Sequence, residues 1–440
     1  MGTPNVAVIG AGVAGAMAAY RLRQAGLRPV VYESNDYIGG RARTIRQGGF
    51  TFDTGAVGLL GSYNRTRDVA REIGMADRFL TLKPIGAIPK NGVLHQLDMA
   101  HPVRSFATTG LYSLRSKLKL LKVVADVYRL RHVIDYEQVE GLIAHDLETV
   151  QDYSLRELND ELYEYLTGAL TRGAWLAPAE LSSVIQFFWT AKHFTPHMYS
   201  LLGGMSSLPE TLLAGSEVHL NTRVLEVHES GTGVQVTLQN AQGEQQTQTF
   251  DACVIAVPPQ NALPMFPQLA AAQRAYFEGI EYSRSVNVHL GLSDLPNHPE
   301  MYVMVPKRES PDLTTVFLDH RKAPDRAPAG KAMLSVFLNA QWCADRYSTS
   351  DQQVLDEVLG KLQPYFGVLD SKIEQALVQR WDNCALLVKP GIFARMHAFK
   401  QAIDPAAKVQ LAGDYAPFSS INTAIISGEA AAVRLVARLR

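Results

Sequence analysis

Three glycines near the start of the chain have the spacing of a dinucleotide-binding turn: Gly10, Gly12 and Gly15. They follow directly on a β-branched run, 5–9, and precede a helical pattern over 14–25. In such a turn the first glycine permits the tight bend, the second lets a pyrophosphate approach the backbone, and the third lets helix and strand pack closely. The spacing therefore predicts a Rossmann-like nucleotide site.

The helix after these glycines supplies groups that hold phosphates. Val13 and Ala14 stand at its N-terminus, where N–H groups without a helical partner and the positive end of the dipole attract anions. A carboxylate follows at Glu33, 18 residues after Gly15 and at the end of a second strand pattern. An acid at this distance can accept hydrogen bonds from a ribose. We therefore expect Glu33 to bind the ribose, and we place its neighbour Ser34 in the same site.

The composition is that of a soluble enzyme without a nucleic-acid partner. The chain has 440 residues, 47% hydrophobic and 19% charged, with a net charge of −1. This length suits two to three domains, and the charge balance offers nothing to attract nucleic acid. The three cysteines lack metal-binding spacing, so we expect free thiols, no metal site and a cytoplasmic location. The N-terminus lacks the basic region of a signal peptide, and no apolar run is long enough to span a membrane.

Hydrophobic periodicity positions these motifs in an interleaved, two-domain chain. Strand and helix patterns alternate over the first 85 residues, helical patterns dominate to about residue 188, and strands return from residue 217. The predicted elements that follow are a hairpin through 230–233, four strands within 284–338, and helices at 351–363 and 423–439. We predict a nucleotide domain from 1–85, 203–280 and 405–440. The intervening segments, 86–202 and 281–404, would form a substrate domain of antiparallel sheet and helices.

Four further segments resemble the flavin-containing amine oxidase superfamily, which includes monoamine and polyamine oxidases, protoporphyrinogen oxidase and phytoene-desaturase-like enzymes. They are Glu33-Ser34 with Ile38 to Thr44 (IGGRART), Phe52 to Ala56 (FDTGA), Gly203 to Pro209 (GGMSSLP), and Leu411 to Asp414 (LAGD) followed by Ser427 to Ala431 (SGEAA). The resemblance implies FAD as cofactor. It also implies an α/β plus α+β architecture, a Rossmann-like FAD-binding domain of the GR2 type interleaved with a substrate domain.

The resemblance also assigns cofactor-binding residues. The glycine turn would hold the FAD pyrophosphate, Glu33 the adenosine ribose, and Val224 the adenine through its backbone. Arg41, preceded by Gly40, would place a cation near phosphate or flavin. Arg43 would either do the same or pair with a surface acid.

The isoalloxazine and ribityl contacts would come from the middle and the end of the chain. Gly55, Ala56 and Val57 would let the backbone approach the ring, since larger side chains at the glycine would clash. Gly413 and Asp414 would bind ribityl or phosphate-side groups. Thr423 and Ala424 would open the last helix, with its N-terminal dipole toward the flavin N1–C2=O edge.

The sequence indicates the catalytic residues less clearly than the cofactor-binding residues. No Ser/His/Asp set or metal cluster is visible, and the candidates for catalysis are Trp381, His193 and Tyr199. For the histidine, a loop or supporting role is the competing interpretation, and for the tyrosine a place in the core.

Two departures from the conventional amine oxidase pattern bear on the substrate. The strand at 285–292 reads SVNVHLGL, without the lysine that amine oxidases of this superfamily carry near flavin N5. Ser420 stands where they carry a cage aromatic, with Phe418 two residues earlier. We therefore expect an oxidase or desaturase acting on an apolar or partly apolar small molecule. The alternatives are an amine oxidase with a rearranged pocket and a non-redox flavoprotein such as an isomerase.

A basic, amphipathic stretch covers 111–135. It could guide a lipophilic or acidic substrate or contact a membrane surface, and it could equally be a solvated helix face. The sequence leaves the oligomeric state open.

Overall fold

The computed structural model describes residues 2–82, 84–135, 138–193, 197–295, 298–415 and 418–440. The strands in this part of the chain are β1 Asn5–Ile9, β2 Arg28–Tyr32, β3 Thr44–Gln47, β4 Phe50–Asp53, β5 Leu59–Leu60, β6 Phe79–Leu82, β7 Ile85–Lys90, β8 Val93–Asp98, β9 Met198–Leu201, β10 Glu217–His219, β11 Arg223–Glu229, β12 Val234–Gln239, β13 Gln245–Phe250, β14 Ala252–Ile255, β15 Ser285–Leu292, β16 Tyr302–Met304, β17 Leu313–Leu318, β18 Ala332–Leu338, β19 Ile373–Trp381 and β20 Val409–Leu411.

The α-helices are α1 Val13–Gln24, α2 Asn64–Glu72, α3 Pro102–Thr108, α4 Leu114–Leu130, α5 Val150–Glu157, α6 Asp160–Leu162, α7 Gly168–Trp175, α8 Val184–His193, α9 Ser207–Leu213, α10 Pro259–Met265, α11 Ala271–Gly279, α12 Ala340–Arg346, α13 Asp351–Phe366, α14 Ile392–Gln401 and α15 Ile421–Leu439. A π-helical turn, Tyr163–Thr167, joins α6 to α7. Within the described residues no helix is long and apolar enough to cross a membrane.

A parallel sheet of five strands carries the predicted nucleotide motifs. Its order is β10-β2-β1-β14-β20, so strands from the beginning, middle and end of the chain lie side by side. The inner strands β1 and β14 are apolar and buried, as expected for a parallel sheet covered on both faces. Helices α1 and α15 pack against each other beside this sheet. At Gly428 a Cβ would lie 2.2 Å from the carbonyl oxygen of Ala14, so glycine is what lets the two helices approach.

A second sheet of seven strands has the order β19-β15-β18-β17-β16-β7-β8. Its pairings are antiparallel except for the parallel contact of β16 with β7. One face is aliphatic and packs against α12 and α13, and their side chains form a separate hydrophobic core. Strand β15, the second strand in this order, is buried along its whole length, including its polar residues. This mixture of a parallel sheet with an antiparallel sheet confirms the predicted fold class, whereas the domain boundaries stay a prediction.

Some elements differ from the sequence expectations. The helical region expected to about residue 188 is interrupted at Asn159, which adopts an extended conformation and whose side chain caps a new helix at the Leu162 N–H. The long basic helix is α4 alone, which begins after the Ser113 cap and ends by Arg131. Strand β13 has the sequence QQTQTF, whose polar composition gave no strand signal, and it pairs with β12 at the edge of a three-stranded sheet.

Candidate functional site

Two of the three glycines in the turn are required by contacts within the protein, and the third borders an open space. Gly10 has a φ of +100°, and a Cβ there would lie 2.6 Å from the Ala256 oxygen. At Gly15 a Cβ would lie 1.9 Å from the Gly10 oxygen. At Gly12, in contrast, a Cβ would meet no protein atom within 4 Å. Internal packing therefore requires the first and third glycines, while the second borders space that a phosphate group fits.

The first turn of α1 and the segment after β2 meet at this space. Gly12 is the N-cap of α1 and has no side chain to occupy the first-turn N–H groups, which leaves the amides of Val13 and Ala14 suited to an anion. The Gly39 N–H donates to the Ala11 oxygen at 3.0 Å. Gly40, with φ of +54°, brings its Cβ position to 3.3 Å from the Gly12 Cα.

Glu33 is held tightly beside the turn. Its carboxylate is buried and accepts a hydrogen bond from the Ala11 N–H at 2.8 Å. The other oxygen accepts from the Asn35 N–H at 2.9 Å, from its side-chain amide at 2.7 Å, and from the Ser34 hydroxyl at 3.3 Å. The acid thus lies where the sequence places a ribose ligand, and Asn35 is a supporting residue that sequence reasoning missed.

An ion pair joins the GGR segment to the C-terminal GD segment. The Arg41 guanidinium donates to Asp414 Oδ1 at 2.6 Å and to the Cys384 carbonyl at 3.2 Å. It also lies 5.4 Å from the ring centre of Tyr282. At Gly55 a Cβ would meet the Arg41 oxygen at 2.0 Å, so the FDTGA segment packs directly against this arginine. The cation predicted near the cofactor is therefore fixed by partners from three parts of the chain.

Arg43 forms no ion pair with an acid among the described residues, and its role near the cofactor stays a prediction. It donates to the side-chain oxygen of Gln379 at 3.2 Å and its guanidinium lies 4.0 Å from the ring centre of Tyr37.

The remaining predicted cofactor residues lie at strand and helix ends. Val224 is buried in β11 beside a β-bulge. The Gly413 N–H donates to the Ser427 hydroxyl at 3.0 Å. At the start of α15 the Ser420 hydroxyl caps the Thr423 N–H at 3.0 Å, and the Ala424 N–H donates to the Ser420 carbonyl. Ser420 is therefore a helix cap, and the cofactor roles of these residues stay predictions.

Two side chains converge on the Thr54 carbonyl, next to Gly55. The Trp381 indole N–H donates to it at 2.8 Å and the Asn287 amide donates at 3.2 Å. Asn287 is fully buried, and its Oδ1 has no hydrogen-bond partner among the described residues. Trp381, the candidate at the end of β19, thus lies against the backbone that is expected to face the isoalloxazine.

A buried lysine holds the next part of the same segment. Lys322 is 1% exposed, donates to the Val57 carbonyl at 2.6 Å and forms an ion pair with Asp319. The Ser335 hydroxyl also donates to Asp319, and it therefore accepts from His289 Nδ1 at 2.8 Å.

Burial lowers the pKa of His289 to about 4, so its ring is neutral at physiological pH. Lys322 and Asp319 lie three residues apart in one turn, whereas Ser335 and His289 come from two separate strands, and the sequence did not reveal this network. The one available signal was the polar pair Asn287 and His289 at alternate positions of an otherwise apolar strand.

A second buried ion pair links the FDTGA and GGM segments. Asp53 lies 2.9 Å from Arg326, and its other oxygen accepts from the Met205 N–H at 2.9 Å and the Thr44 hydroxyl at 2.7 Å. Burial raises the pKa of Asp53, while Arg326 opposes that change. The resemblance segments are thus hydrogen-bonded to each other.

The other two catalytic candidates lie apart from the Thr54 carbonyl. His193 ends α8 and bonds through Nδ1 to the Trp189 carbonyl at 2.9 Å, and its ring is tilted by 38° with its centre 4.4 Å from that of Trp189. Burial lowers the pKa of His193 to about 4. Tyr199 lies in β9, and its hydroxyl accepts from Arg67 at 2.8 Å. Catalytic roles for both stay predictions.

Phe418 belongs to an aromatic core. It is fully buried, 4.6 Å from the ring centre of Trp189 and 5.7 Å from that of Phe393. Trp175 packs on the same group at 6.1 Å from Phe418. The aromatic residue nearest to the expected cage position therefore packs inside the protein.

Buried polar atoms around the glycine turn and the Thr54 segment fit a group with both phosphates and a polar ring. Among the described residues the Ser206 hydroxyl, the Tyr282 hydroxyl and Asn287 Oδ1 are buried without a hydrogen-bond partner. Buried polar atoms are rarely left unsatisfied. Together with the space beside Gly12, they match a dinucleotide carrying a heterocycle.

Comparison with known proteins gives the same answer. A family model described as flavin containing amine oxidoreductase matches residues 13–436. The chain belongs to this family. As a flavin-containing amine oxidoreductase it is an FAD-dependent enzyme of redox chemistry.

Individual relatives of this amine oxidoreductase are distant but extend over most of the chain. Polyamine oxidase 4 of Oryza sativa subsp. japonica is 25% identical over 98% of this chain and 88% of its own. Protoporphyrinogen oxidase 2, chloroplastic/mitochondrial, of Arabidopsis thaliana is 23% identical over 83% of this chain and 80% of its own. The structure of cyclohexylamine oxidase from Brevibacterium oxydans IH-35A matches with a TM-score of 0.79 and 18% identity, covering 100% of both chains.

Proposed function

We propose that this FAD-dependent oxidoreductase removes a hydride equivalent from a C–H bond of an apolar or partly apolar small molecule, acting as an oxidase or desaturase. FAD, when bound, would supply the acceptor for this hydride equivalent, with O₂ or another acceptor taking up the electrons afterwards. The observation that carries the substrate proposal is Asn287, a neutral and fully buried amide on β15 at the Thr54 carbonyl. A conventional amine oxidase of this superfamily is expected to carry a lysine on this strand.

The surroundings of Asn287 support an apolar substrate. On the same face of the seven-stranded sheet, aromatic rings continue from His289 to Phe337, Phe317 and Tyr302, with ring centres 5.9 to 6.5 Å apart. Since Phe418 packs in the core and Ser420 caps α15, the described residues supply no aromatic cage at the expected position.

Side chains of this protein hold the segment that is expected to face the flavin in a fixed position. Trp381 and Asn287 fix the Thr54 carbonyl, and Lys322 fixes the Val57 carbonyl, so the segment between them is held from both ends. A segment held in this way keeps a bound ring and a substrate C–H in a fixed relation, which is what hydride transfer requires.

Amine oxidation is the second candidate, and Lys322 is the observation that favours it. Although β15 lacks a lysine, the ammonium of Lys322 reaches the Val57 carbonyl from another element. Polyamine oxidase and cyclohexylamine oxidase among the similar proteins are named for amines, and protoporphyrinogen oxidase is named for a heterocycle.

Anaerobic mixing of the holoenzyme with two substrate panels separates these proposals. We expect alkenoic, isoprenoid or heterocyclic compounds to bleach the visible flavin absorbance, and simple amines to leave it unchanged. Bleaching by amines alone would sink the leading proposal. Substrate turnover with no electron transfer to any acceptor would favour an isomerase.

A substitution at Asn287 sharpens the test. Asn287→Lys places a cation on β15 and should not improve amine oxidation if the pocket is built for an apolar substrate. Asn287→Gln is the matched control, because it keeps the amide while changing its reach.

We place the reaction in the cytoplasm, and the three free cysteines support a reducing compartment. Fractionation of cells that express the chain at native level is the direct measurement.

A further inference from the structure

Helix α4 presents an apolar stripe to solvent. Its members are 62–75% exposed: Leu114, Leu118, Leu121, Val124 and Tyr128. The described part of the chain exposes twelve large apolar side chains, and five of them fall within this 17-residue helix. Single exposed apolar residues are ordinary, whereas a contiguous patch marks a surface that another body covers.

The stripe lies on one side of the helix. Its residues are separated by three or four positions, which places them on a single helical face about 21 Å long. The opposite side is anchored in the protein by buried Val123, Asp126 and Leu130. Because α4 is apolar outward as well as inward, packing within the chain does not account for its outer face.

A neighbouring helix extends the patch. Val103 on α3 is 83% exposed. Helix α3 is fastened beside the start of α4, since Phe106 stacks on Tyr112 at 6.0 Å and the Lys117 ammonium donates to the Ala107 carbonyl at 2.8 Å.

The stripe is bordered by positive charge. Helix α4 and its C-cap carry six basic residues: Arg115, Lys117, Lys119, Lys122, Arg129 and Arg131. The acid on this helix, Asp126, is 4% exposed and is used internally, because it accepts from the Tyr153 hydroxyl at 2.7 Å and pairs with Lys122 and, at 3.3 Å, with Arg129. The outer face therefore combines apolar side chains with cations on both flanks.

We propose that α4 docks on the surface of an anionic phospholipid bilayer. The apolar stripe would enter the boundary between head groups and acyl chains, and the flanking cations would contact lipid phosphates. A second copy of the chain fits less well. A two-fold contact would bring like charges together, and Asp126 is buried and already paired. This surface goes beyond the proposed reaction and stands whichever substrate is oxidised.

Vesicle co-sedimentation of the holoenzyme tests the apolar part. The probes are vesicles of phosphatidylcholine alone and of equal parts phosphatidylcholine and phosphatidylglycerol. We expect binding to the anionic vesicles and an about tenfold or greater loss with the double variant Leu118→Gln/Leu121→Gln. The matched control, Val368→Gln/Val433→Gln, changes side chains that are 60% and 59% exposed elsewhere and should bind like the parent.

The charged part is tested by Arg115→Gln/Arg129→Gln. Each lost cation should weaken binding to anionic vesicles about fivefold at low salt, with the difference shrinking at high salt. Equal binding to neutral and anionic vesicles, or wild-type binding by the Leu118→Gln/Leu121→Gln variant, would overturn the proposal. So would a solution dimer, seen by light scattering, that this variant dissociates while no vesicle is bound. Unchanged flavin absorbance and unfolding midpoint in every variant show that the effect is confined to this surface.

Discussion

The glycine turn and the network of Lys322, Asp319, Ser335 and His289 are both expected to support the cofactor, but by opposite means. In the turn, the main chain forms the site. Each glycine is required either because a side chain would clash with a neighbouring backbone atom or because it would fill the space beside the turn. Behind β15, side chains form the support, and Lys322, Asp319, Ser335 and His289 come from three separate elements. Where the backbone makes the contact, the spacing of residues is constrained and the site can be recognised from the sequence. Where side chains converge in space, no spacing reports them.

The largest expected effect separates the two roles of glycine. Gly12→Val should abolish FAD retention while the apoprotein still folds, because its Cβ position has no protein neighbour. Gly15→Val should prevent correct folding, since the Gly10 oxygen lies 1.9 Å from its Cβ position. Visible flavin absorbance after gel filtration and thermal unfolding of the apoprotein measure the two outcomes. Gly360→Ala on the exposed face of α13 is the control and should raise stability by about 1 kcal/mol. Full FAD content in Gly12→Val would refute the assignment.

The side-chain network should respond to removal of its cation. Lys322→Met leaves Asp319 buried without its cation, and we expect a loss of about 3–5 kcal/mol in the free energy of unfolding. Adding Asp319→Asn should recover part of that loss. Lys361→Met breaks a half-exposed pair with Asp312 and should cost at most about 1 kcal/mol. Equal losses in the two lysine variants would show that burial does not distinguish the pairs.

The same network predicts a dependence of stability on pH. Burial is the largest cause that lowers the pKa of His289 to about 4; Asp319 opposes this change and Lys322 adds to it. The unfolded chain binds the His289 proton at a higher pH than the folded chain does. The stability that depends on a neutral His289 is therefore fully present above about pH 6.5 and is lost as the pH falls toward 4. A fall from the ordinary value of 6.5 corresponds to about 3 kcal/mol. The free energy of unfolding of His289→Gln, measured by chemical denaturation at each pH, should fall less steeply with decreasing pH than that of the parent. An identical dependence on pH would contradict the assignment.

The smallest expected effect concerns the hydrogen bond from Trp381 to the Thr54 carbonyl. Trp381→Phe removes the indole N–H from the Thr54 carbonyl and should cost about 1 kcal/mol, weakening FAD binding by no more than about tenfold. Titration of the apoprotein with FAD, followed by flavin fluorescence, measures the change. Trp342→Phe is the comparison, because its indole N–H has no partner among the described residues. An unaltered affinity in Trp381→Phe would remove this residue from the site.

Much of the fold could be predicted because its signals are local. Strand β1, helix α1 and the hairpin of β11 with β12 follow from runs of apolar residues and from glycine positions. The small sheet β5-β9-β6 could not be predicted, since it pairs Leu59 with Tyr199, 140 positions away, through very short strands.

The candidate site divides along the same line. Glu33 lies beside the glycine turn and Arg41 pairs with Asp414, contacts between motifs that the sequence places far apart, while their cofactor roles stay predictions. Lys322 was missed because its importance depends on burial and on the Val57 carbonyl, which are properties of the folded chain. Phe418, two residues before the expected cage position, packs against the Trp189 ring in the core, a contact that its place in the sequence did not indicate.

The pair of Arg41 with Asp414 has a consequence for the order of events during synthesis. Its partners are 373 residues apart, and β20 and α15, which complete the parallel sheet and cover α1, are made after the other described elements. N-terminal segments begin to fold first, but contacts this distant form only after the intervening chain is made. The glycine turn must therefore wait for this later segment before it can hold FAD. Nascent chains should acquire the cofactor only after α15 has left the ribosome, and a stalled chain that ends before residue 409 should remain colourless.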